Sequence, residues 1–165
     1  MHLHRLERKQ ILYGKHSAIW SFFSDPVNLQ AITPEWMHFT IRSGHEKAMF
    51  PGQILNYRIK AIANIPMTWV TEITHVQEGV FFVDEQRFGP YRFWHHLHRF
   101  TPCDKGILME DSIHYALPMD PFSRPLHPLI RTRLDAVFDF REKAVEACFP
   151  DTSGFILKKC RPDKP

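Results

Sequence analysis

Residues 82–100 contain acidic and histidine side chains of the types that serve in acid–base catalysis and metal binding. This stretch is predicted to form two strands joined by a tight turn at Gly89-Pro90. Its flanks carry polar groups that a plain hairpin does not need, namely Asp84, Gln86, His96 and His98. Strand side chains alternate in direction, so every second residue of the later strand shares one face. These residues are Trp94, His96, His98 and Phe100.

Residues 106–116 form the last predicted strand, and their clean alternation should point Asp111 to the interior. If the preceding turn centres on residues 104–105, His98 lies opposite Asp111, and both His98 and His96 face inward. A three-residue loop with a bulge would instead turn the neighbouring side chains inward. Those neighbours are His95, Leu97 and Arg99. We expect the first register.

The turn at Gly89-Pro90 also admits two registers. A three-residue loop places Asp84 opposite His96. It also places Gln86 opposite Trp94, so that all of these side chains point inward. A two-residue loop would pair Asp84 with His95 instead. An interior cluster of acids and imidazoles therefore requires the longer loop.

An imidazole that is oriented by a carboxylate can act as a general base near neutral pH. His98 with Asp111 is therefore a candidate catalytic pair. The same two side chains can equally form a buried structural hydrogen bond. We favour the structural interpretation and assign no firm catalytic residue, because the sequence shows no nucleophile and no oxyanion site.

A His-x-His pair on one strand can also chelate a metal ion. Together with Asp111, the pair His96 and His98 would resemble a two-histidine, one-carboxylate site. Asp111 could as well be the hydrogen-bond partner of a histidine. We therefore expect neither a metal site nor any other cofactor.

Arg141 lies on the apolar side of the one long helix that the sequence predicts. An arginine there extends to the rim or pairs with a buried carboxylate, for which Asp84 and Asp111 are the obvious partners. Anchoring a carboxylate or phosphate of a ligand is an equally good interpretation. Large aromatic side chains on the predicted inner faces could line a cavity or simply fill the core. These are Tyr57, Trp69, Trp94 and Tyr115.

The overall composition limits the classes of function. The net charge is only +3, and basic residues are interleaved with acids, which argues against a nucleic-acid partner. The basic run at residues 158–161 is expected to be a solvated terminus. Three cysteines without metal-type spacing favour a reducing cytoplasm. We expect no membrane insertion, because no apolar run is long enough to span a bilayer and the N-terminus lacks a signal-like core.

The patterns along the chain predict an α+β fold. A first strand is followed by two short helices, about six more strands with short connections, and a long helix at residues 129–149. Such strands form an antiparallel sheet. One helix covers about seven strands only if the sheet curves around it, and this closure tends to leave a cavity. Residues 1–149 should form one domain and residues 150–165 a loosely ordered tail.

Two local features of the helices can also be predicted. Ser17 should cap the first short helix, which is expected at residues 15–23. The long helix should present an apolar stripe to the sheet. That stripe comprises Leu126, Ile130, Leu134, Val137, Ala144, Val145 and Cys148.

The order of elements resembles the SRPBCC, or START-like, superfamily, the helix-grip fold of birch-pollen allergens, polyketide cyclases and lipid-transfer domains. Within it, the chain is similar to a bacterial subgroup of little-characterised proteins. The matching pattern includes Ile32-Thr33-Pro34, Pro66 with Trp69, Gly89-Pro90, Trp94-x-His96-x-His98-x-Phe100 and Asp111 with Tyr115. The resemblance implies a deep cavity for a hydrophobic ligand and few shared catalytic residues. Some relatives are labelled cell-division inhibitors, but a fold does not determine function.

These inferences favour a protein that binds a small, mainly hydrophobic molecule with one polar or anionic group. The expected ligand-binding residues are Tyr57, Trp69, Asp84, Gln86, Trp94, His96, His98, Asp111, Tyr115 and Arg141. One alternative is a cyclase- or dehydratase-type enzyme with His98 as the base and Asp111 orienting it. A further alternative is a regulatory protein-interaction module, which should have a filled core.

Overall fold

The computed structural model describes residues 1–60 and 65–151. Its strands and α-helices are β1 (His4–Leu12), α1 (His16–Phe23), β2 (Thr40–Ser43), β3 (Gln53–Ile59), β4 (Met67–Gln77), β5 (Phe81–Phe88), β6 (Phe93–Cys103), β7 (Gly106–Ala116) and α2 (His127–Cys148). Short 3-10 turns occupy Pro26–Gln30, Glu35–Met37 and Arg124–Leu126. Almost all of the expected tail, with its basic run, lies outside the described residues.

The seven strands form one antiparallel sheet in the order β1-β7-β6-β5-β4-β3-β2. Neighbours in the sheet are mostly neighbours in the chain, because short turns let each strand fold back on the last. The exception is β1, which pairs with β7 and forms one edge of the sheet. The predicted α+β fold, a seven-stranded antiparallel sheet with a long C-terminal helix, is confirmed.

Both predicted registers around β6 are confirmed. Across β6 and β7, His98 lies opposite Asp111. Across β5 and β6, Asp84 lies opposite His96. Ladder pairing between β5 and β6 ends one residue later at Glu85, so the expected pairing of Gln86 with Trp94 is absent from this ladder, and Gln86 instead lies opposite Thr71 of β4.

Gly106 lies at the short turn between β6 and β7, in the register that the sequence predicts. It pairs directly with Cys103, at a φ of 144°. A Cβ atom at this position would lie 2.4 Å from the carbonyl oxygen of Leu12. The glycine is therefore needed for close approach to the end of β1, and the turn keeps the short form that points Asp111 inward.

Helix α2 crosses the concave face of the sheet and contacts β1 through polar side chains. Arg8 Nη2 lies 2.7 Å from Asp135 Oδ1. Gln10 Nε2 donates to the carbonyl oxygen of Glu142 at 2.8 Å. These contacts fix the helix to one side of the sheet. None of the helices in the described part of the chain combines the length and apolar composition that crossing a bilayer requires.

The predicted details of the helices were partly wrong. Helix α2 begins at His127, two residues early, because Pro128 is well accommodated in a first helical turn. Leu126 precedes the helix and is 56% exposed, so it does not belong to the buried stripe, whereas Phe138 does. Ser17 lies inside α1, whose N-cap residue is Lys15, and no side chain caps this helix.

The buried apolar residues form three clusters rather than one continuous core. The first joins α1 to β6, β7 and the end of α2 through Leu12, Ile19, Trp20, Phe23, Ile32, Phe82, Phe100, Ile107, Met109 and Val145. The second lies under the start of α2 and comprises Leu6, Trp94, Ile113, Tyr115, Leu117, Leu134 and Phe138. The third belongs to β3 and β4 and comprises Leu55, Tyr57, Ile59 and Ile73. The space between the clusters is where a cavity can form.

Replacing Phe100 by Ala tests the first cluster. Phe100 is 1% exposed and contacts the rings of Trp20, Phe23 and Phe82. We expect Phe100→Ala to lower the free energy of unfolding by about 3–5 kcal/mol, measured by urea denaturation. The matched control is Phe122→Ala, at a side chain 85% exposed, which should change it by less than about 0.5 kcal/mol. Similar losses in the two variants would contradict this packing.

Candidate ligand cavity and its acid–histidine cluster

A cavity of about 180 Å³ lies between the concave face of the sheet, helix α2 and the helical turns that follow α1. Its walls are mainly apolar and aromatic. Prominent among them are Phe22, Leu29, Ile32, Met49, Leu55, Ile73, Phe82, Val137 and Phe138. One water requires about 10–15 Å³ on a comparable measure, so the cavity can hold a ligand of roughly a dozen non-hydrogen atoms.

The structure brings seven of the ten expected ligand-binding residues to the cavity wall. These are Tyr57, Trp69, Asp84, Trp94, His96, His98 and Arg141. Asp111, Gln86 and Tyr115 do not line it. Asp111 lies directly behind the two histidines, whereas the other two have structural contacts elsewhere.

His96 and His98 occupy successive inward positions of β6, between Asp84 on β5 and Asp111 on β7. Their ring centroids are 3.7 Å apart. Asp84 Oδ2 lies 3.3 Å from His96 Nδ1 and 3.0 Å from His98 Nε2. Asp111 Oδ1 lies 2.9 Å from His96 Nε2 and 2.8 Å from His98 Nδ1. Each imidazole therefore contacts both carboxylates. We call these four side chains the acid–histidine cluster.

Burial alone would raise the pKa of both carboxyl groups in this cluster. The adjacent imidazoles outweigh that effect and hold the pKa values of Asp84 and Asp111 well below the usual range. Burial also disfavours a charged His96, but Asp84 and Asp111 outweigh it and raise the pKa of His96. Both carboxylates are therefore ionised acceptors near neutral pH, and the ring nitrogens that hydrogen-bond to them must donate.

Aromatic neighbours fix the orientation of the cluster. The Nε1–H of Trp94 donates to Asp84 Oδ1 at 3.2 Å, which leaves Oδ2 directed at the two histidines. Phe82 stacks on His98 with centroids 4.1 Å apart. Phe138 of α2 approaches His96 edge-on at 5.7 Å. The imidazoles are thus held from both sides by groups that cannot compete for their protons.

Arg141 is a cation with no ion-pair partner among the residues that the structure describes. Its Nε is buried without a hydrogen bond, and its guanidinium lies 5.1 Å from the ring centroid of Phe138. Burial lowers the pKa of Arg141, and the negative charges of Asp111 and Asp84 partly oppose that shift. The guanidinium stays charged and lines the cavity. The predicted salt bridge to Asp84 or Asp111 does not form at contact distance.

Gln86 and Tyr115 have other roles. The side-chain amide of Gln86 bonds to both backbone groups of Tyr91, through Nε2 to the carbonyl at 2.6 Å and through Oε1 from the N–H at 3.2 Å. It therefore holds the loop between β5 and β6. Tyr115 is fully buried in the second apolar cluster, and its hydroxyl lies 3.0 Å from His127 Nε2. Neither contact could be inferred from strand alternation.

The rim of the cavity includes a pair that the sequence did not indicate. Arg133 of α2 lies over the ring of Trp36, with 5.3 Å from Cζ to the ring centroid. Both residues line the cavity, and Trp36 is 39% exposed. The two residues are almost 100 positions apart, and no local pattern links them. The contact joins the helical turn Glu35–Met37 to α2 across the cavity.

Comparison with solved structures identifies the architecture. A protein from Chromobacterium violaceum aligns with a TM-score of 0.67 at 12% identity, covering 88% of this chain and 97% of that one. The Zhui aromatase/cyclase from Streptomyces sp. R1128 gives 0.64 at 14% identity, with coverage of 88% and 93%. Ginseng major latex-like protein 151 from Panax ginseng gives 0.61 at 12% identity, with coverage of 90% and 98%. No protein-family model and no curated protein matches the sequence.

The chain has the helix-grip fold that these neighbours share. The predicted resemblance is thereby confirmed at the level of fold. The helix-grip neighbours include a plant latex-like protein and an aromatase/cyclase. Similarity at identities of 12–14% supports a shared architecture but not a shared functional site. The function must therefore be argued from this chain's own residues.

Removing one acid tests whether the cluster is a mutually compensating unit. Asp111→Ala leaves two buried imidazoles with one carboxylate, so we expect the free energy of unfolding to fall by about 3–5 kcal/mol. Ser112→Ala changes the next residue of β7, whose side chain points to the other face, and should have an effect below about 0.5 kcal/mol. Urea denaturation at pH 7 in a chelating buffer measures both. A loss as small for Asp111→Ala as for the control would show that the cluster does not stabilise the fold.

Proposed function

We propose that this protein binds a small, mainly hydrophobic molecule with one anionic or polar group, in the cavity between the sheet and α2. The observation that carries the proposal is a mainly apolar cavity whose wall includes an unpaired arginine. Apolar walls supply affinity without fixing orientation, and a small number of polar groups then orient the ligand. Arg141 and the acid–histidine cluster provide those groups here.

Arg141 accounts for the preference for an anion. The buried Nε of Arg141 has lost its hydration without gaining a hydrogen bond among the described residues, and the contact with Phe138 replaces only part of that loss. A carboxylate or phosphate in the cavity would restore two or more charge-assisted hydrogen bonds. The ligand's apolar part would then lie along Phe82, Ile73 and Val137, which line the same cavity. This arrangement supports a fatty-acid-like or aromatic-acid-like ligand.

The geometry gives less support to the cyclase- or dehydratase-type enzyme. A general base needs a free lone pair within reach of the substrate proton. Both ring nitrogens of His98 lie within 3.0 Å of a carboxylate oxygen, so neither is directed freely into the cavity. The interaction module required a filled interior, which does not fit a cavity of about 180 Å³. Ligand binding is therefore the function that we put forward.

A larger side chain that fills part of the cavity tests this proposal. The test ligand is decanoate, an acid of suitable size. Val137 lines the cavity from α2, and Val137→Trp would displace at least two methylene groups of the ligand. Affinity should fall roughly tenfold or more, measured by calorimetry. Ala136→Trp adds the same side chain one position away on the exposed face of the helix and should bind normally. Equal binding by both variants would place decanoate outside the cavity.

The anion preference can be tested separately. Arg141→Leu should weaken decanoate binding roughly 10- to 100-fold, the scale of a lost hydrogen bond to a charged group. Binding of decan-1-ol, which lacks the charge, should change little. Lys143→Leu removes an exposed cation from the same helix and serves as the control. If Arg141→Leu and Lys143→Leu weaken both ligands alike, Arg141 does not recognise the anion.

A further inference from the structure

The acid–histidine cluster contains more acceptor sites than an ordinary buried hydrogen-bond network needs. Asp84 Oδ2 faces a ring nitrogen of each histidine, and Asp111 Oδ1 faces the opposite nitrogen of each. A neutral imidazole has one N–H and one lone pair. The centroids of the two rings lie 3.7 Å apart, and one nitrogen of each ring is directed at Asp84 Oδ2. Potential ligand atoms of three different residues therefore lie together at the cavity wall.

We propose that Asp84, His96 and His98 bind a divalent first-row transition-metal ion, such as Zn²⁺, Fe²⁺ or Co²⁺, at the wall of the ligand cavity. A metal ion accepts the lone pairs of both imidazoles and one carboxylate oxygen together. This inference replaces the expectation of no metal site. The site considered from the sequence used Asp111 of β7 as the carboxylate ligand, whereas the third ligand here is Asp84 of β5. The inference concerns this site alone and does not depend on decanoate binding.

The distances between the donor atoms fit such an ion. Bonds of about 2.0–2.1 Å at angles between octahedral and tetrahedral place neighbouring donor atoms roughly 2.9–3.4 Å apart. The two histidine nitrogens lie 3.3 and 3.0 Å from Asp84 Oδ2. One donor atom from each of the three residues lies within 4.8 Å of the others. All three side chains line the cavity, so further coordination positions would face a ligand.

The groups around these donors are those that a metal site requires. Metal-bound histidines usually donate their other N–H to a carboxylate, which fixes the tautomer and the ring orientation. Asp111 Oδ1 lies 2.9 and 2.8 Å from the two nitrogens that face away from Asp84. His98 Nδ1 is buried and lies 2.8 Å from Asp111 Oδ1 without hydrogen-bond alignment, whereas Nε2 hydrogen-bonds to Asp84 Oδ2 at 3.0 Å. Binding of the ion would replace that hydrogen bond and leave the ring N–H on Nδ1, facing Asp111. Trp94 holds the other oxygen of Asp84.

The charges are also consistent with an ion at this position. Two carboxylates compensate the charge of one divalent cation, and Arg141 then contributes the net positive charge of the cavity wall. A site of three protein ligands that leaves coordination positions open to the cavity is typical of metals that bind an additional anionic ligand. The metal and Arg141 would thus hold the same polar end of a bound molecule. Asp111 is a positioning residue in this arrangement and not a ligand.

Titration with Co²⁺ alone tests the site, because its visible absorption reports the ligands directly. The chelator-treated protein should bind one Co²⁺ per chain with the absorption bands of nitrogen and oxygen coordination. Asp84→Asn and His98→Gln should each weaken binding by more than about 100-fold, and Asp111→Asn by roughly 10- to 100-fold with shifted bands. The control variant H95Q/H114Q removes two histidines from the opposite face of β6 and β7 and should bind as the unaltered protein does.

Hyperfine-shifted NMR signals of the unaltered protein with Co²⁺ keep the test independent of any variant that fails to fold. The largest shifts should fall on His96, His98 and Trp94. Shifts centred on the histidines near the N-terminus, His2 and His4, would overturn the proposal, since those rings lie near His127 in a surface cluster. Absence of stoichiometric Co²⁺ binding, or unchanged affinity in folded Asp84→Asn, would also overturn it.

Discussion

A carboxylate that is removed from water must be compensated by charge or by hydrogen bonds, and the centre of this protein depends on that constraint. Asp84 and Asp111 lie on opposite sides of β6, and each contacts both His96 and His98. A slip of one residue in either strand pairing would turn these side chains to the outer face and leave their partners unpaired. The strand register and the cluster therefore depend on each other.

One long helix is too narrow to cover all seven strands of the sheet. Helix α2 is fixed to β1 by polar contacts and completes the apolar packing on that side of the sheet. The strands β3 and β4 have their own apolar cluster, and the space between these strands and α2 is the cavity. The acid–histidine cluster and Arg141 lie at its wall. A few polar groups therefore interrupt a mainly apolar wall, which suits a ligand with one polar end.

Most of the fold and part of the site could be predicted from the sequence, for a physical reason. Alternation along β7 and the short turn before it determine which side chains face inward, so the placement of His98 opposite Asp111 followed from local chemistry. Contacts between distant elements were not accessible in this way. Arg133 over Trp36, Arg8 with Asp135, and the unpaired state of Arg141 depend on how α2 lies across the sheet. Gln86 alternates as expected, but its side-chain amide hydrogen-bonds to the backbone of Tyr91 in the loop between β5 and β6.

The most direct test of this account is where a bound acid lies. Isotope-filtered NMR of the protein with decanoate should show contacts from the alkyl chain to Phe82, Ile73 and Val137. Ligand protons next to the carboxylate should contact the rings of His96, His98 and Phe138. Contacts only with exposed residues such as Leu126 and Leu129, with the interior signals unchanged, would contradict the central claim that the sheet and α2 enclose a ligand site.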